Sequence, residues 1–199
     1  MIGKKFFIVV FSIGLLGFIG CSSTKINSNE NARVLFSKKY YSSDNSNLSI
    51  KIPLGWHGIN DNNKKLFDVW LVSPDKNSSI VFLPLTLEIN NEFKSIEDSL
   101  NFFYRLMKMQ KEKKNDNFEL VSETETIAKK NIFMKEYRFK INGNEKQSII
   151  FGKNNIFYEC LAFYNDTYTP TRKELDNLFY IQSSIITETK IKKNKMINF

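Results

Sequence analysis

Residues 156–164 read Ile-Phe-Tyr-Glu-Cys-Leu-Ala-Phe-Tyr. In an extended chain, alternate side chains point to opposite faces. Phe157, Leu161 and Phe163 then share one face, and Tyr158, Cys160 and Ala162 the other. A strand with one wet face alternates apolar and polar residues, whereas this one is apolar on both sides. The segment predicts a strand covered on both faces, with Glu159 as its one charged residue.

Upstream lie three more strand-like runs with no helix between them, Phe118–Ile127, Ile132–Ile141 and Gln147–Phe151. Short polar turns join them, including Asn142-Gly143 and Gly152-Lys-Asn-Asn155. Asn-Gly accepts positive φ at both central positions and so marks a tight hairpin. Connections this short require antiparallel neighbours, and the result is a meander.

Two helices supply the cover. Ser95–Lys114 carries Ile96, Leu100, Phe103 and Met107 at 4-3-4 spacing, widened by Phe102, Leu106 and Met109. Ser95 is an N-cap, with Asp98 completing a capping box. Glu97 and Asp98 in the first turn and Lys111, Lys113 and Lys114 in the last complement the helix dipole. A second helix is predicted near Pro170–Gln182, with Thr169 as N-cap, Pro170 at the first position and Leu175, Leu178 and Phe179 as its stripe. The expected class is α+β: an antiparallel β-sheet flanked by helices on both faces, an α-β-α sandwich.

Four strands precede the first helix: Val34–Tyr41, Leu48–Ile52, Phe67–Val72 and Ser79–Leu87. The first two flank the polar turn Ser42–Asn47, and the second two flank Ser73–Ser78. Pro84 donates no ladder bond, which predicts an edge or a bulge there.

The N-terminus predicts an address. Lys4 and Lys5 precede Phe6–Phe18, an almost wholly apolar run of 13 residues, then Ile19-Gly20-Cys21. Thirteen residues are short for a span and suit a signal h-region. The pattern reads as a bacterial lipoprotein signal over residues 1–20, with Cys21 as the lipidated residue. Phe18 stands where leucine is usual. An ordinary signal peptide or a short anchor is the competing reading. Residues 21–32 hold the lipidated Cys and a Ser/Asn-rich tether; eleven such residues reach about 20 Å root-mean-square. The expected location is the cell envelope, membrane-bound through acyl chains, on the periplasmic face of the outer membrane in a Gram-negative cell, as Ser22 suggests by analogy with sorting signals. Residues 33–188 are expected to form one domain and residues 189–199 a basic C-terminal tail.

The chain has 199 residues and a net charge of +8. Setting aside Lys4 and Lys5 in the signal and Lys190, Lys192, Lys193 and Lys195 in the tail leaves +2. A nucleic-acid binder carries its charge on a folded face, so nucleic acid is not expected as a partner. The tail lysines read as a solvated terminus, with acidic lipid headgroups as the alternative. With Cys21 lipidated, Cys160 has no partner, and it reads as a small buried hydrophobe.

The segment Leu48-Ser-Ile-Lys-Ile-Pro-Leu-Gly-Trp56 resembles the opening of PsbP-like domains, a strand followed by Pro-x-Gly-Trp. Leu178-Phe-Tyr-Ile-Gln-Ser-Ser-Ile185 is similar to the final helix and short strand of that group, and the order of elements between them fits. The resemblance covers roughly Val34–Glu188. It implies an α-β-α sandwich and a non-enzymatic accessory or binding role, as in bacterial envelope lipoproteins of the DcrB type. Pro53, Gly55 and Trp56 carry over as structural positions only: a tight turn at Gly55 and a core plug at Trp56.

No catalytic, cofactor or metal site is expected. His57 is the only histidine. It lacks the oriented partner of a general base and the neighbours of a zinc site, and it reads as a surface loop residue. Asn60-Asp-Asn-Asn63 lacks the spacing of a calcium loop. Glu159 reads either as a pocket carboxylate or as the partner of a nearby lysine or arginine at the strand's margin. The expected function is a membrane-anchored, non-enzymatic binding or assembly module for a protein partner in the envelope. Its alternative is a carrier of a lipid or other apolar ligand, motivated by the 18 phenylalanines.

Overall fold

The computed structural model describes residues 33–42, 47–59, 67–86 and 93–192. The expected signal segment, Cys21 with its tether, the Asn60–Asn63 loop and the last seven residues lie outside them. The described residues from Val34 to Lys192 belong to one compact unit. Its elements are β1 (Phe36–Tyr41), β2 (Leu48–Pro53), β3 (His57–Gly58), β4 (Val69–Val72), β5 (Ser78–Leu85), α1 (Ile96–Lys114), β6 (Phe118–Glu123), β7 (Ile127–Lys129), β8 (Ile132–Ile141), β9 (Asn144–Lys153), β10 (Ile156–Tyr164), α2 (Arg172–Thr187) and β11 (Lys190–Ile191).

The meander follows from its turns. Lys130-Asn131, Asn142-Gly143 and Asn154-Asn155 all sit at positive φ and close two-residue hairpins between β7, β8, β9 and β10. Both central residues in the left-handed region define the hairpin turn whose twist matches the flanking strands. Gly152 belongs to β9 rather than to the turn. It faces Phe157 across the ladder, and a Cβ there would stand 2.3 Å from the Phe157 ring. The missing side chain is the space that the ring occupies.

The large sheet has eight strands, ordered β3-β4-β5-β10-β9-β8-β6, with β7 also paired to β8. β5 is interior, so the edge expected at Pro84 is not its position in the sheet. The Phe82 carbonyl accepts from the Asp68 amide on the β4 side, and alternation turns Pro84 the same way. Pairing with β4 stops at Val69–Phe82, so the proline's missing N–H falls beyond that ladder.

The expected α-β-α sandwich is corrected by the sheet pairing. The described residues are 46% strand and 24% helix, with two helices and two antiparallel sheets. β1 and β2 do not join the large sheet; β2 pairs with β1 on one side and β11 on the other in a separate three-stranded sheet. Leu48, Ile50 and Ile191 of that small sheet, Leu178, Phe179 and Ile185 of α2, and Phe82, Phe151 and Tyr158 of the large sheet fill one core cluster. That layer is part helix and part sheet rather than helical. Local periodicity specifies that Leu48–Ile52 is a strand, but not which strands it pairs with.

A second cluster lies under α1, where Leu100, Phe103 and Tyr104 pack on Tyr137, Phe139, Ile150 and Phe157. Ser95 caps α1 by accepting from the Asp98 amide at 3.0 Å. Met109 is exposed, and Tyr104, outside the expected stripe, is buried. Two-way capping occurs on α2. The cap is Thr171, two residues past the expected Thr169, because Glu174 returns a hydrogen bond to its backbone amide. α2 then runs through Gln182–Ile185, where the resemblance implied a short strand. Gln182 is fully buried, and its amide donates to the Cys160 carbonyl at 2.9 Å. The strand follows later as β11, made from the first residues of the expected tail.

Candidate functional site

Two places concentrate chemistry. The first is where β2 runs into Pro53-Leu-Gly-Trp56. The Leu54 amide donates to the Leu35 carbonyl at 2.8 Å, and the Trp56 amide to the Pro53 carbonyl at 3.1 Å. This tight reversal needs Gly55 at φ +84°, a conformation that L side chains adopt at a cost. Leu54 is left 60% exposed at the tip. Trp56 is half-buried and packs at the margin of the α2 cluster. Between this turn and β1 lies an open groove of about 370 Å³, lined by Lys39, Tyr40, Tyr41, Ile52, Leu54 and Trp56 among others. His57 lies in the two-residue β3, paired with Val72 and exposed.

Tyr40 links this groove to the outer surface of the small sheet. The Lys190 ammonium sits 4.0 Å from its ring centroid and the Lys51 ammonium 5.5 Å. A cation over an aromatic face gains about 0.5–1 kcal/mol at an exposed site. Glu188, just past α2, bridges Lys130 at 2.7 Å and Lys51 at 3.5 Å. The Lys130 hydrogen bond, ahead of the Lys51 contact, holds the Glu188 carboxyl below the usual glutamate value.

The second place lies beneath α1. Glu159, 3% exposed, accepts from the Lys111 ammonium and from the Ser148 hydroxyl, the latter at 2.5 Å. Lys111 also lies over the Tyr137 and Phe139 rings, 5.8 and 5.9 Å from their centroids. The buried Tyr137 hydroxyl lies near Ser148 but makes no hydrogen bond of good geometry, and burial pushes its pKa up. Glu159 is thus the partner of a lysine, but in the middle of the sheet rather than at its margin. The signal was present in the sequence: Lys111 continues the Ile96, Leu100, Phe103, Met107 stripe by one more helical turn. A lysine on a core-facing stripe asks for a buried acid, and β10 offers one.

Cys160 is fully buried in the α2 cluster, and burial pushes its thiol well above the usual value. Thiolate chemistry therefore has no support at this position. Among the described residues, no group of three His, Cys, Asp or Glu side chains is placed to hold a metal ion, and no helix is long and apolar enough to cross a membrane.

No family model matches the chain, and no curated protein matches it. Among solved structures, the chain is similar to a Bacteroides thetaiotaomicron protein of no stated function, at 16% identity and a TM-score of 0.36. The match covers 78% of this chain and 49% of the other, so the chain spans about half the length of that protein. A likeness this slight carries no argument about function.

Proposed function

We propose that this chain is an envelope lipoprotein, anchored through Cys21, that serves as a non-enzymatic binding module for a protein partner. The observation that carries the binding role is the outer edge of the large sheet. β6 and β7 lie end to end along the same side of β8, and among the described residues no strand pairs with their other side. Leu120, Val121 and Ile127 are each 38–48% exposed along this edge. An unpaired edge offers a row of N–H and C=O groups to an extended segment of another protein, and apolar side chains add affinity. The shift in register around Val121 bends the edge and limits indiscriminate pairing.

A photo-crosslinker placed at Val121 in cells tests this, with a second placed at Asp116 as control. The proposal expects a discrete protein adduct from position 121 only, lost when Leu120→Lys is added. No adduct, or the same adducts from both positions, refutes it. Palmitate labelling that persists in a Cys21→Ala chain refutes the anchor.

The groove beside Trp56 favours a second reading, a carrier of an apolar ligand. At about 370 Å³ it falls at the lower end of small-ligand pockets. Native mass spectrometry of the chain extracted from its own membranes decides this reading, and absence of a bound lipid ends it.

A further inference from the structure

We infer that the three-stranded sheet and the Pro53–Trp56 turn form a docking face for an anionic phospholipid bilayer. This rests on the proposed envelope location, since an anchored chain keeps the face near lipid.

The first observation is charge. β1, β2 and β11 read FSKKYY, LSIKIP and KI: four lysines, Lys38, Lys39, Lys51 and Lys190, and no acid. Arg33 and Lys192 flank them in sequence. Among the described residues, the acid that meets these lysines is Glu188, at Lys51. The cations set aside as a tail therefore belong in part to a folded surface, because β11 places Lys190 over Tyr40. Anionic leaflets attract such lysines within a Debye length.

The second observation is the apolar part of the same surface. Leu35 and Leu54 are 65% and 60% exposed, and Tyr40 is 37% exposed. The carbonyl of Leu35 is bonded to the amide of Leu54, so the two residues are neighbours. Tyr41 and Trp56 line the groove next to them. Single exposed leucines are ordinary. Leucine, tyrosine and tryptophan set among lysines make an amphipathic surface that suits the boundary between headgroups and acyl chains.

The third observation is where the chain ends lead. β1 starts three residues after Arg33, and the Lys192 amide bonds to the Asn47 carbonyl beside β2. The sequence on the N-terminal side holds the apolar run Phe6–Phe18, and that on the C-terminal side holds Lys193 and Lys195. Both segments continue from this one sheet.

The two tryptophans make the test. Trp56 lies in the face, while Trp70 lies on β4 of the large sheet, its indole donating to Ser79. The full chain carrying Trp70→Phe is reconstituted in vesicles of acyl-brominated phosphatidylcholine, with and without phosphatidylglycerol, and Trp56 fluorescence is read. The expected result is quenching with phosphatidylglycerol and little without it. Trp70 in a Trp56→Phe chain should stay unquenched in both. Lys39→Gln with Lys190→Gln should weaken docking about 30-fold, at about fivefold per lysine. Unquenched Trp56 in the mixed vesicles overturns the inference, as it would if an acidic protein were the real occupant. Equal quenching without phosphatidylglycerol, or equal quenching of Trp70, overturns it too. The vesicles hold no other protein, so this result is independent of whether the β6–β7 edge finds its partner.

Discussion

Replacing Lys111 with methionine removes the ammonium that neutralises Glu159 and keeps most of the stem that packs beneath α1. The carboxylate that remains is 3% exposed and keeps the Ser148 hydroxyl at 2.5 Å. Breaking a buried ion pair from one side costs about 3–5 kcal/mol, because the remaining charge is stranded. Lys111 is 17% exposed and the Ser148 bond survives, which places the cost at the lower end, about 3 kcal/mol. Glu159→Gln strands the lysine less severely. The ammonium can extend toward water and keeps its two aromatic faces, so the cost is about 1–2 kcal/mol. The double variant strands no charge and should fall within about 1 kcal/mol of the parent. The coupling energy is then about 3–5 kcal/mol. Urea unfolding of the four chains, followed by circular dichroism, measures it, with unchanged m-values as the check that the transition itself is the same. A coupling below about 0.5 kcal/mol would refute the reasoning that the two charges stabilise each other beneath α1.

Three further outcomes follow from other sites. Gly152→Ala should destabilise the chain by about 1–3 kcal/mol, since its Cβ would meet the Phe157 ring at 2.3 Å; the same change at Gly143, which has open space but φ +80°, should cost about 1 kcal/mol, and equal losses in thermal melts would count against the packing argument. Cys160 should resist a thiol reagent in the folded chain and react once urea unfolds it, because burial both shields the thiol and raises its pKa; rapid labelling of the native chain would overturn that placement. The Glu123 and Glu188 carboxyls are held below the usual glutamate pKa in the folded chain, first by the Tyr104 and Lys130 hydrogen bonds respectively. Their contribution is present above that value and is lost as pH falls through the lower folded value. Stability should therefore decline on acidification from about pH 5 downward, with a shallower decline in a Glu123→Gln, Glu188→Gln chain, and an identical pH profile for the two chains would contradict this.

Much of the fold was legible because it is locally determined. Ile132–Ile141 and Ile156–Tyr164 are strands over the very residues that the pattern marked, and α1 runs from its expected cap to Lys114. The turn chemistry of Asn142-Gly143 needs no distant partner to act. The cap of α2 lies two residues past the expected Thr169, because Pro170 suggests a start that the Thr171–Glu174 pair overrules. The candidate sites were less legible. Pro53, Gly55 and Trp56 mark a turn in the sequence, but the groove beside them also needs Tyr40 and Tyr41 from β1.

By itself, the sequence determined the hairpins, the two helices and the two-faced burial of residues 156–164, since each depends on neighbours within a few residues. Only the tertiary structure decided the partition into two sheets, because strand pairing is a long-range choice that alternation does not encode. It also decided that Lys111 meets Glu159 across 48 residues and that Lys190 lies over Tyr40. In both pairs a lone charge in the sequence gains its meaning from a residue that only the folded chain brings within reach.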